Sequence, residues 1–218
     1  MLIAGKAQTG KTTEAINIIW NKRRSFHRII VLCPTWYIQK TFDPIRSLVK
    51  ESDIYIKPNE NVLRLIVVDI EKNAHTCKRA GLPPMPTLIL IDDMAGSTFL
   101  HGNRKGVFAN LSIQTTHWNL SIIVISQQST SVDPNFRDNV EHSLVYYSER
   151  EDDYSWLKRA FNSSVLGDSN FREVVKFGWS GGQGLKEYGK HFLYIKACNR
   201  EPTKFFIDWD EEIVLNKD

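Results

Sequence analysis

The sequence predicts an α/β protein in which helices flank a central, mostly parallel β-sheet and a smaller helix and β-hairpin appendage follows. Two observations lead to this fold class. Short apolar runs alternate with helix-like segments along residues 1–150, and buried parallel strands have this continuous apolar character. The first run, residues 1–4, continues into a loop bounded by Gly5 and Gly10 and then into an amphipathic segment, an order typical of a strand, a tight loop and a helix.

Residues 1–80 alternate between predicted strands and predicted helices. Residues 59–80 include a strand-like run at 65–68, but their apolar residues recur at helical spacing from Val62 to Cys77, which favours a helix. The predicted elements are a strand at 1–4, a helix at 11–24, a strand at 28–33, a helix at 36–50, a short strand at 54–56 and a helix at 59–80.

The remaining chain continues this alternation to about residue 150 and then changes character. We interpret residues 1–218 as a single domain with a core at about 1–150 and an appendage at about 151–218, because roughly 60 residues form only a marginal core alone. The predicted elements are a strand at 87–91, a helix at 108–118, strands at 121–125 and 142–147, helices at 154–161 and 171–177, a glycine-rich loop at 178–189, and strands at 191–198 and 204–209.

Composition and charge exclude several classes of protein. The formal net charge of +3 is compatible with a nucleic-acid partner but does not require one. The three cysteines are far apart and form no C-x-x-C pair, which argues against a disulfide framework or a structural zinc site. No apolar run approaches the ~20 residues that a membrane span needs, and the apolar start is too short for a signal peptide.

The loop after the first strand matches the phosphate-binding pattern G-x-x-x-x-G-K-[ST]. Its glycines allow a tight turn, and its amides and the following helix N-terminus attract phosphate oxygens. We expect Lys11 to reach the β- and γ-phosphates and the Thr12 hydroxyl to bind Mg²⁺, so the predicted cofactors are ATP and Mg²⁺. The predicted nucleotide-binding residues are Gly5, Lys6, Ala7, Gln8, Thr9, Gly10, Lys11, Thr12 and Thr13.

Two carboxylates follow the apolar strand at 87–91, in the pattern of a Walker B motif. Ligands of parallel sheets bind beyond the carboxyl ends of the strands, so this strand delivers Asp92 and Asp93 to that edge. We expect Asp92 to hold Mg²⁺ and Asp93 to orient the water that attacks the γ-phosphate.

Polar residues at the end of the next strand and two arginines complete the predicted catalytic set. Gln127 is the candidate sensor of the γ-phosphate, with Gln128 as the alternative. Arg104 or Arg137 is the candidate arginine that reaches a neighbouring subunit's nucleotide, although Arg104 with Lys105 also suits contact with DNA phosphates.

With these residues in place, the sequence resembles the poxvirus-like viral genome-packaging ATPases related to the FtsK/HerA translocases. The resemblance covers about residues 1–150 and includes the Cys33-Pro-Thr35 segment after the second strand. It departs from the family at Asp93, where a glutamate is commoner. The matching segments are residues 2–12, 30–35, 86–93, 103–104, 122–128 and 136–139.

The resemblance implies a RecA-like (ASCE) P-loop NTPase with an extra strand between the two Walker strands. It further implies a pentameric or hexameric ring that pumps double-stranded DNA into a preformed capsid, with an arginine supplied by a neighbouring subunit. The implied partners are DNA, further copies of the chain, and capsid or portal vertex proteins. The implied location is the viral assembly site in the host cytoplasm, with possible association with the virion. A chain that begins on its first strand fits a lean viral motor better than cellular relatives with additional domains.

Two other functions use the same phosphate loop. The first is a P-loop nucleoside or nucleotide kinase, which a sensor strand directly after the Walker B strand disfavours. The second is a nucleotide-gated DNA-binding protein without motor activity, which the acidic pair Asp92 and Asp93 disfavours.

Overall fold

The structure, a computed structural model, describes residues 1–94, 100, 106–161, 168–181, 191–198 and 201–214. Over these residues the chain divides into two compact units. We call Lys11–Ser126 with Ser131–Asn139 the Walker unit, and Met1–Gly10 with Gln127–Thr130 and Val140–Asp218 the hairpin unit. The boundary that the sequence suggested near residue 150 does not coincide with this division, and the organisation as a single domain stays a prediction.

Strands and helices alternate through most of the chain. The strands are β1 (Leu2–Ala4), β2 (Arg28–Leu32), β3 (Ile54–Tyr55), β4 (Thr87–Ile91), β5 (Leu120–Ser126), β6 (His142–Tyr146), β7 (Phe192–Cys198), β8 (Glu201–Ile207) and β9 (Glu211–Glu212). The helices are α1 (Lys11–Asn21), α2 (Asp43–Arg46), α3 (Glu60–Arg79), α4 (Val107–Ile113), α5 (Pro134–Asp138), α6 (Glu151–Phe161) and α7 (Asp168–Trp179).

The Walker unit contains a parallel sheet in the order β3-β2-β4-β5. All five residues of β4 are buried, as expected for a strand between two parallel neighbours with both faces covered. The register aligns Ile91 with Leu32 of β2 and with Val124 of β5. The carboxyl ends of these strands therefore lie together, and the residues that follow them share one edge of the sheet.

The hairpin unit combines one parallel strand pair with an antiparallel ribbon. β1 pairs in parallel with β6, and β6, β7, β8 and β9 follow as antiparallel neighbours. Helix α7 packs on β7 and β8 through the buried Phe171 and Val175, and the Trp179 indole N–H donates to the Val145 carbonyl at 2.9 Å. Parallel pairing predominates in the chain, and helices pack on the sheets, so the predicted α/β fold class is confirmed.

Some secondary-structure predictions were wrong in detail. The predicted helix at 36–50 is reduced to a 3₁₀ turn at Lys40–Phe42 and the four residues of α2, because Pro44 has no amide hydrogen and is tolerated only in a first helical turn. The predicted helix at 108–118 ends at Ile113, and turns lead from there to Asn119, whose φ is 50°. Helix α5 was missed, since five residues are too few to show a helical period. Among the described residues, no helix is both long and apolar enough to cross a membrane.

Candidate active site

The first half of the phosphate loop lies in the hairpin unit and passes very close to β6. A Cβ atom built at Gly5 would lie 2.5 Å from the Tyr146 Cβ, and the φ of Gly5 is +151°. Only glycine fits this position, because a side chain would collide with Tyr146 and strain the backbone. Beyond it, Gln8 has a φ of 63° and Gly10 a φ of 88°, so the loop curls through two left-handed residues. Such a curl turns successive backbone N–H groups inward and forms an anion-binding concavity.

The second half of the motif begins helix α1 in the Walker unit. Lys11 is the first residue of this helix and is only 7% exposed. Burial lowers the pKa of Lys11, and the negative charge of Asp92 opposes that shift. An ammonium group that is partly desolvated at a helix N-terminus gains strongly from an incoming phosphate, because the phosphate replaces the solvation that burial removed.

Thr12 and Asp92 meet where α1 begins and β4 ends. The Thr12 Oγ1 donates a hydrogen bond to the Asp92 Oδ2 at 2.9 Å. Asp92 is 5% exposed, and burial raises the pKa of its carboxyl group, while the bonds from Thr12 and from the Asp93 amide oppose that shift. A buried carboxylate beside a hydroxyl is an oxygen donor pair that fits Mg²⁺. In the described part of the chain no three His, Cys, Asp or Glu side chains group as metal ligands.

Asp93 differs from its neighbour in exposure and in backbone conformation. Its side chain is exposed, and its φ of 55° is unusual for a residue other than glycine. The Asp93 N–H donates to the Asp92 Oδ1 at 2.8 Å, and this bond fixes the turn that follows β4. Strained residues of this kind cost roughly 1–3 kcal/mol and cluster at functional sites. The turn leaves the Asp93 carboxylate available to solvent and to a bound water.

Gln127 follows β5 and is exposed at the start of a short turn. In the hairpin unit this turn is held by Asp153, a buried residue of α6 that the sequence analysis missed. The Asp153 Oδ1 accepts hydrogen bonds from the Ser129 amide, at 3.1 Å, and from the Ser129 hydroxyl, and its Oδ2 accepts one from the Ser148 hydroxyl at 2.7 Å. No sequence motif marks this carboxylate; the available signal was only an acidic residue in the first turn of a helix.

The two candidate arginines are not placed at a site by this structure. Arg137 lies in α5 and is 8% exposed, so its guanidinium is buried within its own chain. An arginine that reaches a neighbour's nucleotide has to leave such a position, which disfavours Arg137 in this conformation. Arg104 lies outside the described residues. The choice between them stays a prediction.

Structure comparison finds nucleotide-binding proteins with a similar fold, although sequence comparison finds no relative. No protein-family model matches the chain, and no curated protein is similar in sequence. The genome packaging NTPase B204 of Sulfolobus turreted icosahedral virus 2 in complex with AMP has a TM-score of 0.62 at 13% identity, covering 98% of this chain and 96% of that one. B204 described as the DNA-packaging ATPase of Sulfolobus turreted icosahedral virus has a TM-score of 0.59 at 14% identity, covering 94% of each chain.

A third structure extends the likeness beyond viruses. The pCW3 conjugation coupling protein TcpA with bound ATPγS has a TM-score of 0.61 at 12% identity, covering 96% of this chain and 60% of that one. This chain has the fold of a P-loop ATPase. The resemblance to viral genome-packaging ATPases, first seen in sequence motifs, is therefore confirmed at the level of the fold. In a P-loop ATPase fold, the pairing of Thr12 with Asp92 brings the ends of the two Walker motifs together.

Proposed function

We propose that this protein is an ATP-hydrolysing motor that moves double-stranded DNA during viral genome packaging. The observation that carries the enzymatic part is the 2.9 Å contact between Thr12 and Asp92. It places a cation-binding hydroxyl and a buried carboxylate at the start of a phosphate-binding helix. A protein that only bound nucleotide would have no need of the exposed second carboxylate, Asp93, beside this pair.

The chemistry assigns one task to each residue. Backbone amides of the loop and the Lys11 ammonium hold the triphosphate, and they stabilise the charge that develops on its oxygens during transfer. Thr12 and Asp92 would hold Mg²⁺, which would supply positive charge against the negative charge of the phosphates. Asp93 orients a water molecule and accepts its proton, and Gln127 contacts the γ-phosphate region from the turn after β5.

The DNA part of the proposal is supported by likeness to other proteins. The B204 structures are of a genome packaging NTPase, and TcpA is a conjugation coupling protein. The proposed assembly is a pentameric or hexameric ring docked on capsid or portal vertex proteins at the assembly site in the host cytoplasm. Either Arg104 or Arg137 would complete each active site from the neighbouring subunit.

The deciding experiment measures ATPase rate against protein concentration, with and without double-stranded DNA. A ring with shared active sites should show a rate that rises more than linearly with concentration, together with stimulation by DNA. A rate per subunit that changes neither with protein concentration nor with DNA would contradict the proposed motor. Phosphate transfer to a nucleoside or nucleotide, without DNA stimulation, would establish a kinase instead.

A mixing experiment tests the two arginines separately. Arg104→Ala or Arg137→Ala subunits, added to wild-type protein, should lower the rate by more than their share of the mixture, because each inactive arginine disables a neighbour's site. Arg24→Ala, which changes an exposed arginine after α1, is the matched control and should not lower the ATPase rate of the mixture. Proportional loss with both test variants would reject the shared site.

A further inference from the structure

Three segments lead into the amino ends of β2, β4 and β5 in the Walker unit, on the edge opposite to the candidate active site. None of them contains Asp or Glu, so every charge that their side chains carry is positive. Strand β4 spans roughly 16 Å, so this charge is well separated from Asp92 at the other end of the strand. The segments are residues 21–27, 78–86 and 114–119, and their Lys and Arg residues, which we call the basic edge, are Lys22, Arg23, Arg24, Lys78 and Arg79.

The three segments lie side by side. The His27 amide donates a hydrogen bond to the Pro86 carbonyl at 2.9 Å, which joins the first segment to the second. The Asn119 side-chain amide donates to the Pro84 carbonyl at 3.0 Å, which joins the third segment to the second. The basic edge is therefore assembled from separate parts of the sequence, and it has five cations where the whole chain has a formal net charge of only +3.

Most cations of the basic edge have no carboxylate partner. Elsewhere in the Walker unit arginines are paired, as Arg28 is with Asp53 and Arg64 with Glu60. An anion that approached the basic edge would not have to compete with such ion pairs within the described part of the chain. Four of its cations are exposed and form no ion pair with any residue that the structure describes, namely Lys22, Arg24, Lys78 and Arg79.

The fifth cation, Arg23, is held in a fixed orientation. Its Nη1 donates to the Trp20 carbonyl at 2.7 Å, and its guanidinium lies 4.4 Å from the centre of the Trp20 ring, in a cation–π arrangement. A guanidinium has five N–H donors in a planar fork that matches phosphate oxygens. Because its orientation is already fixed, Arg23 loses little entropy when it binds a phosphate.

Stabilisation of helix ends accounts for only part of this charge. Lys78 and Arg79 lie in the last turn of α3, where cations interact favourably with the helix dipole. The last turn of α1 contains no basic residue, and its three cations follow in and just before the 3₁₀ turn Arg23–Ser25. Since the dipole effect falls off within the last turn of a helix, the cations after α1 suit a partner outside this chain.

We propose, on the basis of the DNA part of the proposed function, that the basic edge binds the phosphate backbone of double-stranded DNA. A duplex carries one negative charge per about 1.7 Å of its axis, so it can contact several separated cations at once, which a single small anion cannot do. Because the basic edge lies opposite to the candidate active site, we expect this binding to need no nucleotide.

The test measures binding of the full chain to a short fluorescent DNA duplex, without nucleotide, by fluorescence anisotropy over a range of salt concentrations. The double variant Lys22→Ala/Lys78→Ala should weaken binding on the order of 10-fold at physiological salt. It should also reduce the slope of log affinity against log salt by about 2, because each phosphate contact contributes about 0.9. The matched control Lys40→Ala/Lys57→Ala removes two exposed lysines of the same unit outside the basic edge and should change neither value.

A second measurement uses the wild-type chain and does not depend on the folding of a variant. Bound duplex should protect Lys22 and Lys78 from acetylation more than Lys40 and Lys57, as quantified by mass spectrometry. ATP hydrolysis without DNA should be unchanged by any substitution in the basic edge, because none of its residues belongs to the phosphate loop or to the acidic pair.

The outcomes keep this inference separate from the proposed function. Equal losses of affinity in the two double variants, or no protection of Lys22 and Lys78, would overturn the basic edge as the DNA surface and leave the proposed motor standing. If Lys22→Ala/Lys78→Ala kept its affinity for the duplex but lost affinity for poly-L-glutamate, the surface would instead dock an acidic protein, and the inference would also be overturned. Wild-type protein that binds no duplex at any salt concentration would refute the DNA part of the proposed function itself.

Discussion

The carboxyl ends of β4 and β6 carry ionisable residues in opposite environments. At the end of β4, Asp92 is 5% exposed and Lys11 of the adjoining helix 7% exposed. At the end of β6, the side chains of Glu149 and its partner Lys6 are 67% and 51% exposed. Burial of the first pair costs desolvation energy, whereas exposure of the second costs almost none. The desolvation cost makes the β4 end the better candidate for the proposed chemistry.

The ionisable groups at the β4 end are in an unfavourable environment until a ligand binds. Burial raises the pKa of Asp92 and lowers that of Lys11, so both charged forms are disfavoured without a ligand. A cation beside Asp92 opposes the rise in the pKa of that carboxyl group, and phosphate oxygens beside Lys11 oppose the fall in the pKa of the lysine. Binding at this end is therefore expected to depend strongly on the charge of the ligand.

The largest expected effect is that of Lys11→Ala. Loss of the buried ammonium removes an electrostatic contact to the transferred phosphoryl group, and single contacts of this kind contribute about 100- to 1,000-fold in kcat. Steady-state ATPase assays measure the loss. Lys22→Ala changes an exposed lysine just after α1 and should stay within about two-fold of wild type. Comparable losses in the two variants would contradict a special role for the buried lysine.

Asp93→Asn is expected to reduce kcat by roughly 100-fold, with little change in the affinity for ATP. A general base contributes about 100- to 10,000-fold, and an amide cannot accept the proton of the attacking water. Single-turnover kinetics with separate measurement of nucleotide binding distinguish the two parameters. An Asp93→Asn protein as active as wild type would remove the water-orienting role and favour a nucleotide-gated binding protein.

Asp153→Ala tests whether the sensor turn depends on its buried carboxylate. Loss of a buried acceptor for three hydrogen bonds should lower the free energy of unfolding by about 1–3 kcal/mol and reduce kcat about 10-fold through displacement of Gln127. Denaturant titration and ATPase assays measure the two effects. Asp152→Ala, at the exposed neighbouring position, is the control. If Asp153→Ala loses stability but keeps kcat, Asp153 supports the fold and does not position the sensor.

The smallest expected effect is a gain in stability. Since burial raises the folded-state pKa of Asp92 above its usual value, the ionised group costs stability at neutral pH, and this cost disappears as the pH falls below about 4. Asp92→Asn should therefore raise the Tm of the metal-free protein by a few degrees at pH 7, and the difference should shrink at pH 4. Thermal denaturation at both pH values measures it. A lower Tm at pH 7 would show that the ionised carboxylate stabilises the empty site.

The sequence predicts the Walker unit better than the hairpin unit, for physical reasons. Strands β2, β4 and β5 each contain four consecutive apolar residues that are buried, a pattern typical of parallel strands with both faces covered. In the antiparallel ribbon the register depends on cross-strand pairing. The second strand of the hairpin therefore lies at 201–207, where 204–209 was expected, and β9 was not foreseen.

The residues of the candidate site also differ in how well the sequence predicts them. Lys11, Thr12, Asp92 and Asp93 belong to local motifs whose spacing is set by one loop or one strand end, so the sequence identifies them. Asp153 meets Ser129 across 24 residues of chain, and no local pattern encodes such a contact.

Both oxygens of the Asp153 carboxylate are engaged, one by the turn that carries Gln127 and one by Ser148, which follows β6. Neither segment can move far unless a hydrogen bond to Asp153 breaks or the other segment moves with it. A single side chain thus links the turn that carries the predicted γ-phosphate sensor to the segment that follows β6. In the proposed motor, a movement of the sensor turn on loss of the γ-phosphate would therefore be transmitted to the segment after β6.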